Sequence, residues 1–177
     1  MPKIIDNPQK RILDATREEI FKEGLEDFKM RDVAKRSGIG VGTIYHYYPD
    51  KLTLIASIVA EDWVKEVASI QEKIDLSFSF EESIKYLHDG ILNFRFEEKN
   101  IFQQVHSPEF SVYYFKNHVV FLNQISKIMD HAMDKFHYTC DDETKTIIAS
   151  IIVESTKGRF IPYDALIKAV MKLVNKA

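Results

Sequence analysis

Cysteine is nearly absent, with Cys140 alone among 177 residues. A single cysteine excludes an intrachain disulfide framework and any Cys-rich zinc site, and it fits a reducing compartment. Glycine and proline are scarce, at 6 and 5, and most stand at points where helices would stop. Long apolar runs are missing too. The longest near a candidate helix is 147–153, interrupted by Ser150; a membrane-spanning helix needs about 20 apolar residues. The N-terminus offers no apolar stretch of signal-peptide length, so a soluble, cytoplasmic protein is expected. β-Branched alternation with hairpin turns is absent, as are tandem repeats, which favours an all-helical fold. Catalytic signatures are lacking: there is no glycine-rich phosphate loop, no Gly-x-Ser-x-Gly, no His-Glu-x-x-His and no carboxylate pair in an obvious cleft. These absences argue against an enzyme, and nothing calls for a cofactor. A chain of this length buries roughly 70% of its unfolded surface and needs no metal to hold a core.

The charge that is present is unevenly placed. Overall it is −3, from 24 basic and 27 acidic residues. Residues 1–55 carry 10 basic and 9 acidic side chains, and the rest of the chain is net acidic. Within 29–51, Lys29, Arg31, Lys35, Arg36 and Lys51 face only Asp32 and Asp50. A short basic segment in an acidic protein is either a solvated helix face or an electrostatic footprint for nucleic acid.

The helical pattern predicts about nine helices. Asn7 suits an N-cap and Pro8 a first helical position. Ile12, Leu13, Thr16, Ile20 and Phe21 follow as one apolar stripe, and Gly24 stops the helix. Short helices fit 29–36 and about 41–47. Asp50 caps a long helix from 51 to about 73 bearing Leu52, Ile55, Ile58, Val59, Trp63, Val67 and Ile70. Further helices fit about 80–97, 99–106, 110–137, 142–157 and 162–175. The expected architecture is an N-terminal three-helix domain over residues 1–50 and a helical bundle over 51–177.

Two short helices joined by Lys35-Arg36-Ser37-Gly38-Ile39-Gly40 are what a helix-turn-helix requires. Gly38 supplies the positive φ of the turn. Val33, Ile39 and Ile44 are placed to bury the inner face, leaving Val41, Gly42, Thr43, Tyr45, His46 and Tyr47 to project from the third helix. Threonine and tyrosine hydroxyls reach phosphates, and threonine methyls meet thymine in a major groove. Arg31 and Lys51 flank this helix, and Lys51 lies at a helix N-terminus, where free N–H groups favour an anion. Tyr48 reads as core rather than contact.

The stretch from Ile12-Leu13-Asp14-Ala15 through Met30-Arg31-Asp32-Val33-Ala34 to Gly42-Thr43-Ile44-Tyr45-His46-Tyr47-Tyr48-Pro49-Asp50-Lys51 resembles the DNA-binding domain of the TetR family of bacterial repressors, over about residues 8–55. The resemblance implies that the third helix enters the major groove. Thr43, Tyr45 and Tyr47 fall where family members touch phosphates and bases. Lys51 falls on the family's phosphate-binding lysine, and Lys29 and Arg31 on positions that contact backbone or a base edge. Gly42 and His46 complete the projected face, with His46 a base reader. The sequence departs at Lys29, where the family often has Thr or Ser, and at Gly40 and Val41, which replace a more polar pair. Readout therefore rests on Tyr45, His46, Tyr47 and DNA shape.

Residues beyond 55 match the family only in length and helix pattern. A helix-turn-helix dimer spans half-sites about 34–36 Å apart, and the last two helices carry apolar residues suited to a two-fold interface: Ile147, Ile148, Ile151 and Ile152, then Leu166, Ile167, Val170, Met171 and Val174. The same residues also suit an intrachain core. The middle region, 78–138, is rich in aromatics, where the resemblance implies a pocket for a small inducer. Trp63, Phe94, Phe102, His106, Tyr113 and Phe121 are its candidates, and such a lining suits a lipophilic or aromatic ligand. His131, Asp134 and His137 lack the geometry of a metal site, and no metal is expected. The implied function is a repressor that binds a palindromic operator as a homodimer and is released by a small ligand. The alternative is a helical adaptor of the same fold without DNA binding.

Overall fold

A computed structural model describes residues 6–98, 108–157 and 161–177, with only the backbone of 108–118. Among these residues there are eight helices, α1 Pro8–Glu23, α2 Met30–Ser37, α3 Val41–Tyr47, α4 Lys51–Leu76, α5 Phe80–Glu97, α6 Pro108–Phe136, α7 Asp142–Ser155 and α8 Tyr163–Leu173. The expected helix at about 99–106 lies outside the described residues. Two short strands, β1 Tyr138–Thr139 and β2 Asn175–Lys176, pair antiparallel. The pattern anticipated neither; the last helix yields to β2 at Val174, whose extended backbone closes α8.

The chain forms two compact units that divide within α4, between Asp62 and Trp63. The sequence reading placed the boundary at 50/51. The first turns of α4 account for the difference, since Leu54, Ile55 and Ile58 pack into the N-terminal core with Ile12, Leu13, Val33, Ile39, Ile44 and Tyr48. Each such aliphatic burial stabilises by about 1.5–3 kcal/mol. Leu25 and Phe28 from the α1–α2 loop complete that cluster. Phe21 does not join it: at 93% exposure it stands outside the stripe predicted for it.

In the second unit α5 packs on α6, α7 and α8, and α6 on α7. Ile70, Ile74, Ile84, Leu87, Ile91, Ile125, Ile128, Ile148, Ile152, Leu166 and Val170 are buried there. Gly90 permits a close crossing: a Cβ at that position would lie 2.4 Å from the Ile70 Cγ1 atom. Ser79 starts α5 by accepting the Glu82 N–H at 3.1 Å, while the Glu82 carboxylate accepts the Phe78 N–H at 2.7 Å. Asp141 caps α7 in the same way through Thr144. Lys135 of α6 donates to the carbonyls of Ile74, Asp75 and Ser77 at the end of α4. No helix among the described residues is long and apolar enough to cross a membrane.

Candidate nucleic-acid interface

The geometry of α3 is set from within the first unit. Gly38 turns the chain at φ 68°, and its N–H and that of Ile39 both return to the Ala34 carbonyl. Gly40 then opens α3, accepting from the Thr43 N–H at 2.9 Å and the Ile44 N–H at 3.1 Å. Ile44 is fully buried and Tyr48 nearly so, so α3 is pinned by its inner face and by the residue that ends it. Gly42, Thr43, Tyr45, His46 and Tyr47 are exposed together on the outer face, with Val41 beside them. Tyr45 is 48% exposed, and the rings of His46 and Tyr47 meet edge-on at 5.7 Å. Three adjacent rings and a threonine on a seven-residue helix form a polar aromatic surface of the kind that reaches base edges and phosphates.

Lys29 and Arg31 open α2 at exposed positions. The remaining basic residues differ in how free they are. Arg36 is held by α1, with Nε donating to Glu19 Oε1 at 2.5 Å and Nη1 to Glu18 Oε2 at 2.6 Å, so its charge is already met. Lys51 is half-buried. Its ammonium donates to the Glu26 carbonyl at 2.7 Å and sits 4.2 Å from the centre of the Phe28 ring. That burial pulls its pKa below the ordinary 10.5. One N–H is spent on Glu26, which leaves two for an anion. Asp50 caps α4 beside it, accepting the Thr53 N–H at 2.6 Å.

Several ties escaped sequence reasoning because they join residues far apart in the chain. Arg11 of α1 donates through Nη2 to the Ser37 carbonyl at 2.6 Å. Arg17 places one guanidinium nitrogen 2.8 Å from Glu61 and the other 2.7 Å from Asp62 on α4. Thus α1 carries charged contacts to α2, to the turn and to α4.

The candidates in the second unit separate by burial. Trp63 and Phe94 are buried with ring centres 5.0 Å apart, Trp63 lies 4.6 Å from Phe121, and its indole N–H donates to Gln124 Oε1 at 2.7 Å. Phe102 and His106 lie outside the described residues, as does the side chain of Tyr113. Of the residues suggested for a two-fold interface, Ile148, Ile152, Leu166, Val170 and Val174 fill the chain's own core. Ile147, Ile151, Ile167 and Met171 retain exposure, Ile147 at 54%. His131 binds Asp75 at 2.6 Å on the surface, and burial pushes the Cys140 thiol above its ordinary value, opposite to activation.

Comparison with known proteins bears on the first unit most directly. Residues 12–58 match the family model described as bacterial regulatory proteins, tetR family. The repressor KstR of Rhodococcus jostii is 46% identical over 55 residues, covering 31% of this chain and 26% of that protein. The chain spans about a quarter to a third of the length of the KstR repressors it matches. Solved structures extend the likeness of fold. A TetR-family transcriptional regulator from Streptomyces coelicolor superposes with a TM-score of 0.61 at 16% identity, covering 85% of this chain and 81% of that one. FadR of Bacillus subtilis, solved in complex with stearoyl-CoA, superposes with a TM-score of 0.54 at 19% identity over 93% and 96%. The helices that present α3 thus carry the domain found in bacterial regulatory proteins of the tetR family, over residues 12–58, and the solved structures share the fold.

Proposed function

We propose that this protein is a transcriptional regulator, acting as a repressor that binds a palindromic operator as a homodimer and is released by a small lipophilic or aromatic ligand. The observation that carries the reading is α3 itself, whose Ile44 is buried in the core while Thr43, Tyr45, His46 and Tyr47 stand exposed together. Lys29 and Arg31 at the start of α2 and Lys51 at the start of α4 supply phosphate contacts. Tyr45, His46 and Tyr47 read base edges. Gly42, having no side chain, lets the backbone approach the DNA.

The homodimer follows from the need of a helix-turn-helix protein to span two half-sites. Of the apolar residues suggested for the interface, Ile147, Ile151, Ile167 and Met171 are the ones not consumed by the chain's own core. The ligand would engage the region of Trp63, Phe94 and Phe121, where Gln124 adds one polar partner. The complex of FadR with stearoyl-CoA indicates that this fold accommodates a lipophilic ligand in that protein. Phe102, His106 and Tyr113 remain candidates for the same lining.

The test is selection of genomic DNA fragments by the purified chain, followed by titration of the best fragment. A palindromic site bound in preference to random sequence is expected. A small lipophilic ligand should then lower the affinity. Binding to all fragments alike would contradict the operator reading.

A further inference from the structure

The structure assigns to Arg11, which no motif singled out, the role of positioning α3: its guanidinium locks the turn that sets the direction of the helix. Its consequence for DNA rests on the regulator reading above. With seven residues, α3 is too short to hold itself and takes its orientation from its attachments. These are the buried Ile44 and Tyr48, and the turn, where the backbone reverses through Gly38 at φ 68°. The Ser37 carbonyl, in the last turn of α2, has no successor within its helix to bond it. Arg11 supplies the partner from α1, with Nη2 at 2.6 Å. The same nitrogen lies 3.3 Å from where a Gly38 Cβ would be, so the guanidinium occupies the space that glycine leaves at the pivot.

The lock has a firm base and a favourable charge. Arg11 is followed by Ile12 and Leu13, both buried in the first unit's core, so its backbone is held where it starts. Its positive charge meets the carbonyl end of the α2 dipole, and the hydrogen bond is charge-assisted. Ser37 closes the turn from the other side: it is buried, and its hydroxyl donates to the Ala34 carbonyl at 3.3 Å. Arg11 thus acts on α3 through the turn and is a positioning residue.

Arg11→Met and Arg11→Lys in the full chain test this. Without DNA, amide exchange at Gly38 and Ile39 should accelerate about tenfold in Arg11→Met while amides of the second unit keep their rates, and Arg11→Lys should fall between. On the operator selected above, Arg11→Met should lose about tenfold in affinity, with an unchanged slope against salt because no phosphate contact is removed, and Arg11→Lys should recover most of the loss. Unchanged exchange at Gly38 and Ile39 would overturn the lock. Faster exchange with unchanged affinity would overturn its role in positioning, and a slope reduced by about one phosphate would make Arg11 a direct contact instead. If the wild-type chain prefers no DNA sequence, the regulator reading falls, and the positioning of α3 for DNA falls with it. The exchange arm still decides whether Arg11 holds the turn.

Discussion

At the scale of single residues, Lys51 and Tyr47 separate the roles that meet at α3. The Lys51 ammonium faces inward to Glu26 and Phe28 and still has donors to spare. Lys51→Ala should therefore have two effects. It should weaken operator binding and reduce the salt slope by about one phosphate, and it should lower the stability of the first unit by about 1 kcal/mol through the lost carbonyl contact. Tyr47 is exposed on α3. Tyr47→Ala should weaken operator binding and leave the melting temperature nearly unchanged. Parallel salt titrations and thermal melts distinguish the two, and a Tyr47→Ala protein that melted early with full affinity would make Tyr47 a packing residue. Val33, Ile39 and Ile44 were legible as the inner face because alternatives at helical spacing were few. The interior ties of Arg11, Arg17 and Arg36 were not, since ion pairing between distant segments leaves no periodic trace.

At the scale of elements, the start of α5 offers a pH test. Glu82 lies below its ordinary 4.5 because the Phe78 N–H, and then the Tyr86 hydroxyl, donate to its carboxylate. A carboxyl depressed in the folded state adds stability that is complete above its unfolded pKa and is lost as pH falls through the folded value. Stability of the second unit should thus fall with acid below about pH 4.5, and Glu82→Gln should flatten that part of the profile. Equal acid sensitivity in both proteins would remove Glu82 from the account. Ser79→Ala, which takes away the N-cap, should cost about 1 kcal/mol in denaturant unfolding. At the crossing of α4 and α5, Gly90→Ala should destabilise by about 1–2 kcal/mol despite the better helix propensity of alanine, because the buried Ile70 side chain must move. A more stable variant would show that Ile70 has room to yield.

These elements also mark what the sequence makes readable. Gly24, Gly38 and Asp50 end or begin helices where their chemistry predicts. The Ser79-x-x-Glu82 spacing is a capping signal legible in the sequence, and it starts α5. Helical spacing puts Phe21 at the edge of the stripe of Ile12, Leu13, Thr16 and Ile20, and one helical step of 100° past Ile20 carries it out to solvent. The β1–β2 pair joins Tyr138 to Lys176 across the final two helices, a long-range match with too few residues to leave a pattern.

At the scale of the whole molecule, α7 and α8 show why apolar content alone does not separate core residues from exposed ones. Ile147 and Ile148 are adjacent, one 54% exposed and the other fully buried. Replacing Ile147 and Ile151 together with Asp should convert a dimer to a folded monomer in sedimentation, whereas Ile148→Asp should unfold the second unit, since a buried unpaired charge costs several kcal/mol. A dimer that survives the double replacement would place the two-fold contact elsewhere.

The central claim is that α3 reads DNA. It is tested most directly by titrating the purified wild-type chain against its best selected genomic fragment and a scrambled version of it, over a range of salt. The account predicts preference for the selected fragment by roughly a thousandfold or more and a steep decline of affinity with salt. Equal binding to both fragments, or none to either, would contradict it and leave a helical protein-binding adaptor of the same fold.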